Sequence, residues 1–111
     1  MAYDTELADR IRELIDPEPD VTEKKMFGGL AFLIGGNMAV AASGKGGLLV
    51  RIDPAEEDAL LERAGTEVMV MGGREAHGWL RVTAEVIRAE RDLDEWVDRG
   101  VTYARSLPPK G

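Results

Sequence analysis

The chain has 111 residues, of which 44% are hydrophobic and 32% are charged, and it carries a net charge of −7. This length and balance predict one soluble globular domain over residues 1–111 and exclude a disordered tail. The chain has no cysteine, which excludes disulfides, thiolate nucleophiles and cysteine-based metal sites. The acidic balance disfavours direct nucleic-acid binding, because proteins that bind nucleic acids usually present a basic surface.

The start of the chain is polar and acidic and shows no signal-peptide pattern. No apolar run approaches the roughly 20 residues that a membrane-spanning helix needs. The run Leu30–Ile34 is followed at once by Gly35 and Gly36. We therefore expect a cytoplasmic protein with no membrane association.

The first predicted helix begins after Asp4, a suitable N-cap, and ends at Pro17. Its apolar residues recur at helical spacing and are Leu7, Ile11, Leu14 and Ile15. Three strands are predicted next, over Lys24–Ile34, Met38–Ala42 and Leu48–Ile52, with glycine-rich turns between them.

The second predicted helix has the clearest start signal, with Asp53 as N-cap and Pro54 at the first helical position. It extends to about Ala64. Two further strands follow, over Glu67–Met71 and Gly78–Val82.

The last predicted helix begins at Asp92, which forms a capping-box pattern with Glu95, and ends before Pro108. The segment Ala84–Arg91 is compatible with a loop, a helical turn or an extension of this helix. The order α-βββ-α-ββ-α predicts an α+β, two-layer sandwich. Its antiparallel sheet has about five strands, with the helices on one face.

Residues that support catalysis are scarce, since the chain holds one histidine and two serines. His77 falls in a predicted turn and is interpreted as a solvated loop residue. The acidic residues Asp53, Glu56, Glu57 and Asp58 are interpreted as helix caps, because carboxylates stabilise the first turn of a helix. We therefore predict no catalytic residue, no metal site and no cofactor.

The glycine pair within the first predicted strand indicates a bulge or a close approach of two backbones. Four basic residues would converge beside this pair if their strands were neighbours. Such a patch would suit an acidic protein segment or an anionic ligand. The alternative is that the four are scattered, solvent-facing charges paired with the many carboxylates of the chain. The residues predicted for this partner- or ligand-binding site are Lys25, Phe27, Gly28, Gly29, Arg51, Arg74, Trp79 and Arg81.

Several short motifs lie at characteristic positions: Lys25–Gly29, Asn37-Met38, Val50-Arg51, Gly78-Trp79 and Arg105–Lys110. Together they resemble the N-terminal domain of the TfoX/Sxy family of bacterial competence regulators. The resemblance covers nearly the whole chain and implies a two-layer domain with the element order given above. It also implies a role as a transcription co-regulator, although the full-length regulators carry a second, helical domain.

The leading hypothesis is a non-enzymatic module that acts as a transcription or competence co-regulator through protein–protein contacts. The alternative is a domain that binds a small anionic ligand or catalyses a reaction on it. Direct nucleic-acid binding is a third, disfavoured option. For the oligomeric state we expect a monomer or a weak homodimer.

Overall fold

The structure is a computed structural model that describes residues 4–26 and 28–108, with the backbone alone described at Met71. These ranges contain three α-helices and six strands in the order α-ββββ-α-ββ-α. The α+β class and the antiparallel sheet are confirmed, with one strand more than expected.

The helices are α1 (Thr5–Ile15), α2 (Glu57–Leu61) and α3 (Glu90–Ser106). Short 3-10 turns, Pro54–Glu56 and Val86–Arg88, precede α2 and α3. The strands are β1 (Val21–Met26), β2 (Gly29–Ile34), β3 (Asn37–Ala42), β4 (Leu48–Arg51), β5 (Thr66–Met71) and β6 (Arg74–Val82).

The strands form one open antiparallel sheet in the order β1-β2-β3-β4-β6-β5. Consecutive strands pair as hairpins except where α2 and β5 intervene between β4 and β6. Strands β1 and β5 therefore lie at the two edges of the sheet. Within the described residues, no helix combines the length and the apolar character required to cross a bilayer.

The extra strand arises where one long strand, Lys24–Ile34, was predicted. Instead, β1 ends at Met26, β2 begins at Gly29, and the two strands pair antiparallel with Met26 opposite Gly29. Gly28 has a φ of +75°, a conformation that glycine adopts without steric cost. The prediction of a single strand was wrong because apolar residues on both sides of the turn conceal it.

Among the residues predicted to cap helices, Asp4 and Asp53 are confirmed, whereas Glu56 makes no side-chain cap hydrogen bond. The Asp4 carboxylate accepts hydrogen bonds from the backbone N–H groups of Glu6 and Leu7. Asp53 caps the 3-10 turn by accepting from the N–H of Ala55 at 2.9 Å. Asp92 is not a cap, because α3 already begins at Glu90 after the preceding 3-10 turn.

The main core lies between the helices and one face of the sheet. Its largest fully buried side chains include Trp96, Phe32, Ile11, Ile52 and Leu80. They come from α1, α3, the central strands and the residue after β4. This packing confirms that the long helices cover one face of the sheet.

The opposite face carries a second apolar cluster, consisting of Ala31, Met38, Ala41, Leu49 and Met69. Partly buried side chains, including that of Trp79, pack against it. Because side chains alternate along a strand, the central strands contribute to both clusters.

Strand β6 contains a wide bulge. Val68 and Met69 are adjacent in β5, yet they pair with Leu80 and Ala76 of β6, so residues 77–79 fall between two successive pairs. On its other side this segment remains attached to β4 and the residue after it. Trp79 pairs with Arg51, and the Ile52 N–H donates to the Gly78 carbonyl at 2.9 Å.

Candidate functional site

The bulge in β6 brings α2 into contact with the sheet. Gly78, at its centre, has a φ of +91°, which a residue with a side chain would rarely adopt. A Cβ atom on Gly78 would lie 3.5 Å from Cγ of Pro54, in ordinary van der Waals contact. The glycine is therefore required by its backbone conformation and not by crowding. Bulges of this kind commonly redirect side chains next to functional sites.

Glu57 supports the bulge from α2. Its side chain is only 9% exposed, and Oε1 accepts a hydrogen bond from the Gly78 N–H at 2.7 Å. The other carboxylate oxygen, Oε2, lies 2.7 Å from Nδ1 of His77. Both oxygens of this buried carboxylate are thus engaged, as the burial of a charge requires.

His77 is held by Glu57 but remains 61% exposed. The Glu75 carboxylate lies 3.6 Å from Nε2, on the other side of the ring. The hydrogen bond with Glu57 raises the pKa of His77, and the negative charges of Glu57 and Glu75 add to this shift. Conversely, the pKa of Glu57 is lowered, first by the Gly78 N–H and then by His77.

Trp79, the residue after Gly78, belongs to a second feature. This feature is the Arg51 cluster, which consists of the side chains of Arg51, Trp79 and Tyr103. The guanidinium carbon of Arg51 lies 4.9 Å from the centroid of the Trp79 ring and 5.6 Å from that of Tyr103. Both distances are within the range of a cation–π interaction. The three side chains come from β4, β6 and α3, so the fold assembles the cluster from distant parts of the chain.

The side-chain polar groups of the Arg51 cluster have no hydrogen-bond or ion-pair partner among the described residues, and Tyr103 accepts a hydrogen bond from Ser106 only through its backbone carbonyl. Each of the three residues is partly exposed, and none of their polar atoms is both buried and unpaired. The guanidinium, the indole N–H and the phenol hydroxyl therefore reach solvent with their donor capacity unused.

A cleft of about 420 Å³ opens beside Tyr103, between α3 and the turn before α2. Arg99 within it is bound to Glu95 at 3.2 Å and lies 3.7 Å from Glu56. The Arg63 and Arg99 guanidinium groups lower the pKa of Glu95 to about 2. The cleft is acidic, and its lining residues are Asp53, Glu56, Glu95, Asp98, Arg99, Thr102, Tyr103 and Ser106.

The structure brings together only some of the residues predicted for the binding site. Arg51 and Trp79 are in contact, and Arg81 lies further along β6, opposite Leu49 and 3.7 Å from Glu67. Arg74 is exposed at the start of β6, three residues before His77. The predicted role of these residues in binding stays a prediction.

The other predicted site residues lie apart from the Arg51 cluster. Lys25 is in edge strand β1, which β2 and β3 separate from β4, so the condition for convergence is not met. Gly28 lies in the β1–β2 turn, and a Cβ on Gly29 would collide with the backbone carbonyl of Ala42. This is the close backbone approach predicted for the pair. Phe27 lies outside the described residues.

Sequence reasoning missed the contribution of Glu57, His77 and Tyr103. His77 belongs to β6 and not to a loop, and its partner Glu57 is 20 positions away. Glu57 was interpreted as a cap, but its carboxylate binds the bulge instead. A glycine after the single histidine is a weak bulge signal, and no sequence signal pointed to Tyr103.

In residues 4–26 and 28–108, no group of three or more His, Cys, Asp or Glu side chains is arranged to hold a metal ion. The candidate site consists of a bulge that Glu57 supports, an arginine between two aromatic rings and an acidic cleft. They define an α+β domain with an open antiparallel sheet and a polar–aromatic surface at the β4–β6 junction.

Residues 13–104 match the family model of the TfoX N-terminal domain. The chain therefore belongs to the TfoX N-terminal domain family, which is linked to competence regulation. No curated protein and no solved structure matches the chain.

Proposed function

We propose that this protein is a non-enzymatic, cytoplasmic interaction module that regulates transcription or competence through protein–protein contacts. The observation that carries the proposal is the Arg51 cluster, in which Trp79 and Tyr103 hold an arginine whose donors are free among the described residues. Arginine, tryptophan and tyrosine are the residue types that most often dominate the binding energy of protein interfaces. Membership of the TfoX N-terminal domain family supports a regulatory role.

The surroundings of the cluster also favour binding over catalysis. His77 and Glu57 form a hydrogen-bonded pair, but Glu57 is committed to the Gly78 N–H and stabilises the bulge. The pair therefore has a structural task that explains its geometry. Its effect is to fix the conformation of the segment that carries Trp79.

The test is a pull-down from a nuclease-treated lysate of the source organism, followed by binding measurements with the purified candidate partner. We expect Arg51→Gln to lower the affinity of that partner by at least about tenfold, which corresponds to about 1.4 kcal/mol. Lys25→Gln tests the predicted residue at the far edge of the sheet.

The matched control is Arg88→Gln, which removes an exposed arginine that forms no ion pair within the described part of the chain. A partner retained equally by the wild type and by Arg51→Gln would exclude the Arg51 cluster as its binding site. If no protein is captured and the chain instead binds inorganic phosphate or organic acids, the small-ligand alternative replaces the proposal.

A further inference from the structure

The side chains of the Arg51 cluster offer mainly hydrogen-bond donors. Arginine and the indole of tryptophan only donate hydrogen bonds, and a tyrosine hydroxyl both donates and accepts. The guanidinium carbon lies 4.9 Å from the centroid of the Trp79 ring and 5.6 Å from that of Tyr103, and the five N–H groups of the guanidinium have no partner among the described residues. A group that satisfies this arrangement must be an acceptor, and a planar anion matches the guanidinium best.

The lack of an internal partner is informative because the chain is rich in carboxylates. It contains 21 Asp and Glu residues and 14 Lys and Arg residues. Within the described residues, six arginines are within ion-pair distance of at least one carboxylate, namely Arg10, Arg12, Arg63, Arg81, Arg99 and Arg105. Arg51 is partly buried against two rings, yet no carboxylate of the described residues is paired with it. The other arginines without such a carboxylate among the described residues, Arg74, Arg88 and Arg91, are exposed, so Arg51 differs from them in its burial. A carboxylate that pairs with Arg51 would therefore lie outside the described residues.

The neighbouring charges restrict which anion fits. Asp53 follows Arg51 by two positions, and Asp98 lines the acidic cleft that Tyr103 also borders. A phosphate or a nucleic-acid backbone would bring two or more negative charges toward these carboxylates. A single carboxylate brings one charge, which the guanidinium of Arg51 balances.

The apolar surface beside the donors indicates that the carboxylate belongs to a protein segment. Trp79 packs against the second apolar cluster, and both of its neighbours in the site are partly exposed. Aromatic rings next to an arginine are typical of protein interfaces, where the rings bury the apolar part of the partner. A free anion would leave the exposed parts of these rings in solvent.

We infer that the Arg51 cluster binds an aspartate or glutamate side chain of a partner protein, with the carboxylate on the Arg51 guanidinium and adjacent apolar residues on Trp79 and Tyr103. This inference rests on the proposed function and specifies the chemistry of its partner. It also assigns Tyr103, from α3, to the binding surface.

The test selects short random peptides from a displayed library on the wild-type chain in phosphate-free buffer. We expect the bound peptides to share one Asp or Glu next to apolar residues. Replacing that acid by Asn or Gln should weaken binding to the wild type about tenfold or more, and should have little effect on binding to Arg51→Gln. Arg51→Lys should bind less tightly than the wild type, because lysine keeps the charge but lacks the planar guanidinium that can form two parallel hydrogen bonds with a carboxylate.

Two further variants distinguish a loss of peptide binding from a loss of stability. Tyr103→Phe removes only a hydroxyl without a partner among the described residues, so it should weaken peptide binding without changing the unfolding midpoint. Arg88→Gln should bind as the wild type does. In the bound state the NMR signal of the Trp79 indole N–H should shift more than that of buried Trp96.

Each alternative outcome would overturn the inference in a distinguishable way. Peptides that bind through the cluster but lack a required acid would contradict the carboxylate and leave the proposed protein-binding function intact. A chain that selects no peptide but binds inorganic phosphate in an Arg51-dependent way would contradict both. An equal loss of affinity with Arg88→Gln would show that only the net charge matters.

Discussion

At the scale of single residues, Glu57 and His77 show how one buried carboxylate fixes a local conformation. The Gly78 N–H is buried and would lose its partner without Glu57, which would cost about 1–3 kcal/mol. His77 remains exposed and adds a charge-assisted contact when it is protonated. The pair therefore links the geometry of the bulge, and with it the position of Trp79, to protonation.

The pKa shifts of this pair predict how stability depends on pH. The raised pKa of His77 stabilises the fold fully below the ordinary value of 6.5, and this contribution is lost as the pH rises through the folded-state pKa. The lowered pKa of Glu57 stabilises the fold above the ordinary value of 4.5, and this contribution is lost as the pH falls through the folded-state pKa. Both contributions are present between these two values.

We therefore expect Glu57→Gln to lower the free energy of unfolding by about 1 kcal/mol near the middle of this window, because a neutral amide replaces a charged acceptor. The difference from the wild type should shrink above and below the window in urea titrations. NMR should show the pKa of His77 falling toward its ordinary value. Glu75→Gln is the control, since its carboxylate is more distant from the ring. A pH-independent difference would contradict the linkage.

Sequence reasoning was most successful where a residue acts on its immediate neighbours. Asp4 and Asp53 each cap a backbone N–H within three positions, so the local sequence contains both partners. Asp92 satisfied the same pattern but failed, because the chain enters α3 from a 3-10 turn and the helix starts two residues earlier. Glu57 and His77 could not be paired from the sequence, since their contact depends on a bulge that only the sheet register defines.

At the scale of secondary-structure elements, α3 packs closely against the backbone of β3 at Gly100. This glycine occupies the core-facing side of the helix, between the buried residues Val97 and Ala104. A Cβ atom there would lie 2.5 Å from the Ala39 carbonyl oxygen and 2.9 Å from Cγ1 of Val40. The glycine thus lets the helix pack directly on the strand backbone.

Gly100→Ala should consequently destabilise the protein, although alanine is the better helix former. The helix would gain about 1 kcal/mol from alanine, while displacing it from the backbone of β3 costs about 1–3 kcal/mol. We expect a net loss of up to about 2 kcal/mol in the free energy of unfolding. Thr102→Ala, on the exposed face of the same helix, should be neutral or slightly stabilising. A Gly100→Ala variant more stable than the wild type would show that α3 can move outward freely.

The elements themselves were largely predictable, and the hairpin between β1 and β2 shows the limit. Gly72 and Gly73 both have positive φ values and form the turn between β5 and β6. The hairpin was predicted, because glycines between short strands are a hairpin signal, but the connection was predicted over residues 72–77 and is shorter in the structure, since β6 already begins at Arg74. At Gly28 the preceding residues are as β-prone as the following ones, so the turn was read as a bulge. The order of the strands, which separates Lys25 from Arg51, depends on long-range pairing and carried no local signal.

At the scale of the whole molecule, the net charge of −7 sets which partners can approach. Arg51 attracts an anion over a few ångströms, but the molecule as a whole repels a polyanion over roughly the Debye length, about 10 Å at 0.1 M salt. The two effects favour a partner with one well-placed carboxylate and little net negative charge. The same two effects separate protein binding from nucleic-acid binding, because they allow one carboxylate to bind and oppose the approach of a polyanion.

Duplex DNA provides the sharpest test of this separation. Its affinity for a protein comes mainly from phosphate contacts with Lys and Arg, and here six of the arginines are within ion-pair distance of carboxylates of the same chain. We expect no retention of a fluorescently labelled duplex in gel shift or anisotropy measurements, even at low salt, where phosphate binding is strongest. A binding constant that falls steeply with added salt would show several phosphate contacts and would place a nucleic-acid surface on this domain. Arg51→Gln would then indicate whether the same guanidinium serves that surface, because losing one phosphate contact should reduce the salt slope by about one.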